Sequence, residues 1–146
     1  MDKVLVIHGP NLNLLGERQP DIYPVPSLEN LNAELTKLAE EMELDVKFTQ
    51  CNGENEMIKA LHDSRKWASF VILNPGAFTH YSYAVRDAVE AITVPVIEVH
   101  ISNIYAREDF RKKSVISPVC HGTISGFGKE SYCLALIAGK RIFARK

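Results

Sequence analysis

Two short stretches constrain this chain more than any other feature: Val4-Leu5-Val6-Ile7, opened by Lys3, and Phe70-Val71-Ile72-Leu73, opened by Ser69. Each is apolar without alternation, and each stops at a polar turn, His8-Gly9-Pro10 in the first case and Asn74-Pro75-Gly76 in the second. A strand wetted on one side alternates, whereas one covered on both sides reads as a continuous apolar run. Both stretches are therefore expected to be interior strands of a sheet with a layer on each face.

The segments between them supply those layers. Ser27 is placed as an N-cap, and Leu28, Leu31, Leu35, Leu38, Ala39 and Met42 then recur at helical spacing. Leu44, Val46 and Phe48 alternate with polar residues, which predicts a second strand with one exposed face or an edge position. Residues 55–64 read as a short helix, with Met57, Ile58 and Leu61 inward. Ala84, Val85, Ala88, Val89 and Ile92 mark another. A fourth strand is expected over 94–102, a short helix over 108–113 and a fifth strand over 115–120. A turn at Gly126 and Gly128 and a closing helix over 131–143 complete the chain. Strand and helix in alternation give a right-handed parallel sheet covered by helices. The chain has 146 residues, 46% of them hydrophobic, which suits one domain, 1–146, with one full core. Five strands in that length fit a flavodoxin-like order better than a full dinucleotide-binding fold. The expectation is an α/β, flavodoxin-like three-layer fold with a five-stranded parallel sheet.

Charge narrows the partners. The formal net charge is -1 with 24% charged residues, which argues against nucleic acid or an anionic membrane surface, since either calls for a basic face. A small acidic ligand stays open, because a few arginines suffice to bind a carboxylate. No run approaches the ~20 apolar residues of a membrane helix. Met1-Asp2-Lys3 leads straight into a strand, with no signal peptide, so a cytoplasmic protein is expected. Cys51, Cys120 and Cys133 are odd in number and lack CxxC spacing, which fits reduced, buried or half-buried thiols.

In open parallel sheets ligands bind beyond the carboxyl ends of the strands, near the switch in strand order. Polar residues gather there: His8 to Asn13 after the first strand, Asn74 to His80 after the third, and Glu98-Val99-His100-Ile101-Ser102-Asn103 at the end of the fourth. Glu98 and His100 are two apart on a strand, so both leave the same face. A carboxylate beside an imidazole orients it and favours its charged form, which suits a proton donor. A structural pair at a strand end has the same sequence. Asn74-Pro75-Gly76-Ala77 fits either an ordinary turn or a set of hydroxyl- and carboxylate-binding groups. His80, with Ser82 after it, fits a helix cap or a ligand contact.

Residues 11–26 contain Gly16, Pro20, Pro24 and Pro26 and no periodicity, the pattern of a lid or binding loop. Within it lie Arg18 and Tyr23. Tyrosine, with a pKa of about 10, is a poor base at neutral pH, and a close guanidinium favours the phenolate. Two solvated loop residues would have the same spacing. Arg111 sits in a charge-rich stretch that equally suits a solvated face or an arginine aimed at a substrate. No metal-ligand cluster, G-x-S-x-G elbow or Walker A sequence is present. Residue chemistry by itself points to acid–base work on a small polar substrate.

Five ordered segments go further. Gly9 to Gly16, Asn74 to His80, Pro95 to Asn103, Ala106 to Arg111 and Gly122 to Gly128 together resemble type II 3-dehydroquinate dehydratases, over nearly the whole chain from Val4 to about Leu136. The resemblance implies a dodecamer built as a tetramer of trimers, with no cofactor, no metal and no Schiff base. It implies anti elimination of water from 3-dehydroquinate through an enolate, giving 3-dehydroshikimate, in aromatic biosynthesis or quinate breakdown. By resemblance, Tyr23 takes the proton from the carbon next to the ketone and Arg18 keeps Tyr23 ionised. His100, oriented by Glu98, protonates the departing hydroxyl, and Asn11 holds a water on the enolate oxygen. Asn74, His80, Asp87 and Arg111 bind substrate hydroxyls, while the Ile101 and Ser102 backbone and the Ser102 hydroxyl take the carboxylate. The chain departs from the family pattern at His8, where Asn is common, at Gln19 and Pro24, where Glu and Gly are usual, and over 52–56. None of these positions carries an implied proton transfer. Two rivals remain: a flavodoxin-like binding or signalling module, disfavoured because no acidic residue or phosphate-cradling loop follows the first strand, and a catalytically dead relative, disfavoured by intact Arg18, Tyr23 and His100.

Overall fold

The computed structural model describes residues 1–17 and 27–145. Five strands, β1 (Asp2–His8), β2 (Leu44–Gln50), β3 (Phe70–Asn74), β4 (Val96–His100) and β5 (Gly122–Ser125), pair in parallel in the order β2-β1-β3-β4-β5. Among the described residues four α-helices accompany them: α1 (Leu28–Glu41), α2 (Glu54–Ser64), α3 (Tyr83–Ala91) and α4 (Glu130–Ile142). The chain steps outward from β1 to β2, then back across β1 to β3. The switch point therefore lies between β1 and β3, and the order is the flavodoxin-like one expected.

The missing alternation in β1 and β3 now has its cause. Val4, Val6, Phe70, Ile72, Ile97 and Val99 face a core closed by Leu31, Leu35 and Ala39 of α1 and by Tyr132, Ala135 and Leu136 of α4. Leu5, Ile7, Val71, Leu73 and Val96 face the opposite core, closed by Met57 and Leu61 of α2 and by Val85, Ala88 and Val89 of α3. Each such side chain stabilises the fold by roughly 1.5–3 kcal/mol relative to exposure, so a polar residue on either face would be costly. β2, which does alternate, is an edge strand. Helix starts follow the sequence signals: the Ser27 hydroxyl accepts the Asn30 N–H at 3.0 Å and the Ser82 hydroxyl accepts the Val85 N–H at 3.1 Å. α4 lies close on the sheet because Gly139 has no side chain; a Cβ there would stand 2.1 Å from the Phe70 ring.

Three expectations are corrected. The fifth strand is Gly122–Ser125, not 115–120. Val115 and Ile116 are buried as their apolar character suggests, but against the α2/α3 core rather than in the ladder. The Ser114 hydroxyl turns the chain there by accepting the N–H groups of Ile116 and Ser117, at 3.1 and 2.9 Å. Pro118, which has no N–H to give a sheet, sits in the 3-10 turn Ser117–Val119 that follows. The segment after β1 is not structureless throughout: Leu12–Leu14 is a 3-10 turn, and Leu12 and Leu15 are buried in the α1/α4 core. The helix expected over 108–113 is a 3-10 turn, Asp109–Lys112, with no buried residue.

Candidate active site

Strand parity sends Glu98 and His100 to the α2/α3 side of the sheet, at the carboxyl end of β4, while Ile97 and Val99 face the other core. Glu98 is fully buried, so its carboxylate needs partners to offset the loss of water. It has three. One oxygen accepts from His100 Nε2 at 2.6 Å, and the other accepts from the hydroxyls of Ser114 and Ser117 at 3.1 and 2.9 Å. His100 Nε2 thus donates to Glu98. Nδ1 is left as the nitrogen that can serve a second group, and the ring is almost covered, at 7% exposure. A shielded imidazole with one nitrogen fixed on a carboxylate is built to move a proton through the other. Nearby, burial and the Glu98 charge push the Cys120 thiol far up, so it stays protonated. Ser114 and Ser117 were not visible as site residues in the sequence, because the segment holding them resembles a strand.

A second buried polar group occupies the other face of the same edge. His8 continues the parity of Val4 and Val6, and Asn74 that of Phe70 and Ile72, so both look toward α1 and α4. Tyr132 of α4 joins them: its oxygen lies 3.0 Å from His8 Nδ1 and 3.0 Å from Asn74 Nδ2. His8 Nε2 lies 2.8 Å from Asn32 Oδ1 on α1, and Asn74 Oδ1 accepts the Gly76 N–H at 3.1 Å. Burial lowers the His8 pKa from 6.5 to about 4, against the pull of Asn32, and raises that of Tyr132 well beyond the ordinary phenol range. The turns after β1 and β3 are wedged together here. A Cβ on Gly9 would meet the Asn74 carbonyl oxygen and the Pro75 carbonyl carbon at 2.6 Å each.

The other expected residues divide. His80, half-buried, holds the Lys113 carbonyl through Nδ1 at 2.8 Å and stands edge-on to Phe110. Burial first, then the nearby His100 and Arg111 charges, lower its pKa, while the Lys113 bond opposes them. His80, His100 and Arg111 are thus electrostatic neighbours. Arg111 lies over the Phe110 ring and is paired with Glu108 at 3.1 Å. Ile101 is buried after β4, and the Ser102 hydroxyl accepts from Arg107 Nη1 at 3.3 Å. Arg107 is mostly buried, at 11% exposure, which its place in a charge-rich run does not disclose. Asn11 has a left-handed backbone (φ 69) and gives its N–H to the Asn52 side chain at 3.0 Å. Asp87 stands exposed on α3; its carboxylate makes no hydrogen bond or ion pair with the other described residues. Arg18 and Tyr23 lie outside the described residues.

A wide hollow of about 1370 Å³ lies elsewhere. It opens at the amino ends of the strands between Lys3, Trp67, Thr93 and Lys140, and no residue of the Glu98, His100, Asn74 or His80 set lines it. Its lining mixes surface charges of both signs, Lys3, Lys66 and Glu43 among them, with Trp67 and Phe143, whereas the strand carboxyl ends hold buried, oriented polar groups. Among the described residues no helix is long and apolar enough to cross a membrane, and no group of three or more His, Cys, Asp or Glu is arranged for a metal ion.

Comparison with known proteins identifies the family. The model of the dehydroquinase class II family matches residues 2–139. The 3-dehydroquinate dehydratase of Pelotomaculum thermopropionicum is 55% identical over 136 residues, 93% of this chain and 94% of that one. That of Dictyoglomus turgidum is 56% identical over 138 residues, 94% of this chain and 95% of its own. The crystal structure of the type II dehydroquinase from Propionibacterium acnes superposes with a TM-score of 0.93 at 41% identity, covering 97% of both chains. With its switch point, its oriented Glu98–His100 pair and a family match over nearly its whole length, the chain belongs to the class II dehydroquinases.

Proposed function

We propose that this chain is a 3-dehydroquinate dehydratase, a hydro-lyase of the shikimate pathway acting as one domain, and that the Glu98–His100 pair is its proton donor. The observation that carries this reading is the covered imidazole of His100, held by Nε2 on a fully buried carboxylate and leaving Nδ1 for substrate. The Tyr23 phenolate, favoured by Arg18, takes the proton from the carbon next to the ketone. The electron pair of that C–H bond passes to the ketone oxygen as an enolate, with a water held by Asn11 donating to it. The pair then returns to form the new double bond as the C–O bond breaks on the opposite face. His100, in its protonated form, delivers the Nδ1 proton to the leaving hydroxyl, which departs as water. The product is the conjugated enone 3-dehydroshikimate.

Asn74, His80, Asp87 and Arg111 bind the substrate hydroxyls, and the Ile101–Ser102 segment takes the carboxylate. No cofactor or metal enters this scheme. Asp87, exposed on α3, joins the site in the assembled protein, a dodecamer arranged as a tetramer of trimers. The reaction is followed in the ultraviolet as the enone forms from 3-dehydroquinate. Absence of turnover at saturating substrate refutes the proposal. His100→Ala is expected to lower kcat by ~10²–10⁴-fold, the range of a lost general acid, while a substrate analogue still binds. Borohydride added with substrate is expected to leave activity intact; covalent trapping would replace the enolate route by an imine.

A further inference from the structure

The buried set on the α1/α4 face has a direction, and one bond fixes it. The Gly76 N–H only donates, so the end of the Asn74 amide that faces it is the oxygen. The opposite end, Nδ2, therefore faces Tyr132 and donates to the phenol oxygen at 3.0 Å. With that oxygen accepting, the single phenol hydrogen is left for His8 Nδ1 at 3.0 Å, which must carry no proton. A neutral His8 then has its hydrogen on Nε2, the nitrogen 2.8 Å from Asn32 Oδ1. Every donor in the series points the same way, from the turn after β3 to α1.

We propose that His8, acting through Tyr132, is a positioning residue: by keeping its proton on Nε2 it locks the Asn74 amide in one orientation at the strand edge and presents the second amide hydrogen to a substrate hydroxyl. The proposal rests on Asn74 being a substrate contact, as read above. The alternative arrangement shows why the proton matters. With its hydrogen on Nδ1, His8 would donate to the phenol, and the phenol hydrogen would turn toward Nδ2, setting two donors face to face. Asn74 would have to flip and give up Gly76. Asn32 is the anchor that prevents this. Phe48, stacked on His8 at 6.0 Å and 7° between planes, holds the ring in the plane the series needs. Tyr132 is fully buried and Asn74 is 4% exposed, so water does not substitute for a lost member at no cost.

The test uses the full chain and four substitutions: Tyr132→Phe, His8→Leu, His8→Gln and Asn32→Leu. Tyr132→Phe and His8→Leu are expected to raise KM for 3-dehydroquinate about tenfold with kcat changed less than about twofold, the pattern of lost uniform binding. Glutamine supplies an acceptor and a donor in series, so His8→Gln is expected to return KM to within about twofold of the original. A fall in thermal stability with KM unchanged, or His8→Gln behaving as His8→Leu, overturns the proposal. Nitrogen-15 NMR of the imidazoles reads the proton directly: His8 is expected in the Nε2–H form, shifting toward Nδ1–H in Asn32→Leu. The Asn74 side-chain amide is expected to exchange slowly with water and to lose that protection in Tyr132→Phe. An Nδ1–H form in the unsubstituted protein sinks the proposal. The NMR arm needs no turnover, so an inactive parent protein would count against the proposed function and leave the relay to be judged on the resonances.

Discussion

His8 is neutral at a pH where an ordinary histidine is partly charged, because the core that surrounds it disfavours the cation. Its folded pKa, about 4, lies below the 6.5 of an unfolded histidine. Between those values the unfolded chain binds a proton that the folded chain does not. His8 thus leaves stability intact above about pH 6.5 and removes it progressively as pH falls toward 4. At about 1.4 kcal/mol per tenfold change, the loss approaches about 3 kcal/mol. Denaturant unfolding at pH 7 and at pH 4.5 is expected to show a smaller pH effect for His8→Gln than for the parent; equal effects would refute the assignment. At the other polar cluster, Glu98→Gln keeps the volume and lets both serine hydroxyls find a partner. It removes the carboxylate that orients His100, so kcat is expected to fall ~10²-fold with the circular dichroism spectrum unchanged. An unaltered kcat would remove Glu98 from the mechanism. Of these residues, the Glu98–His100 pair was legible, since a period of two on a strand puts them on one face. Ser114 and Ser117 were not, because a crossing segment rather than local spacing brings them to the carboxylate. Nor was the contact of His8 with Tyr132, 124 positions apart in the chain.

At the scale of elements, content decided what could be read. β1 and β3 announced themselves because both faces are core, and α1 and α3 because a serine cap precedes an apolar stripe. β5 was hidden: Gly-Thr-Ile-Ser at an open edge carries little apolar signal, while 115–120 has that signal without the ladder. Close approach of elements is also invisible to periodicity, and Gly139 is the example. Its absent side chain lets α4 rest on Phe70, a ring with no exposed surface into which to retreat. Gly139→Ala gains ~1 kcal/mol of helix propensity but must displace the ring or the helix, at ~1–3 kcal/mol. With the nearest atom at 2.1 Å and no free space the clash wins, so the denaturation midpoint is expected to fall with the slope unchanged. A raised midpoint would mean that α4 is free to shift. Because α4 also carries Tyr132, the same substitution is expected to raise KM.

For the whole molecule, the sheet divides its buried polar groups between two faces: the Glu98–His100 pair under α2 and α3, and the His8, Tyr132 and Asn74 set under α1 and α4. Large apolar side chains remain uncovered on the single chain, among them Phe127 at 63%, Leu134 at 42% and Ile137 at 41%. Burial between subunits would remove them from water. Sedimentation equilibrium is expected to give twelve times the chain mass, and a monomer at micromolar concentration would refute the proposed assembly. Oligomeric state was not legible from residue patterns, since exposed apolar groups at helical spacing look like core until the fold shows which way they face.

The crowding at Gly9 bears on how such a site changes over time. With backbone atoms of Asn74 and Pro75 occupying the space a side chain would need, the first and third strand turns are bound to each other's sequence. Drift in one is paid for in the other. The rim formed after β4 by the 3-10 turn at 109–112 has no buried residue and carries the ion pair of Arg111 with Glu108 at its surface. Altered substrate preference, whether selected in nature or in the laboratory, should therefore accumulate on that second rim, with the Gly9 side serving as the fixed jaw against which it adjusts.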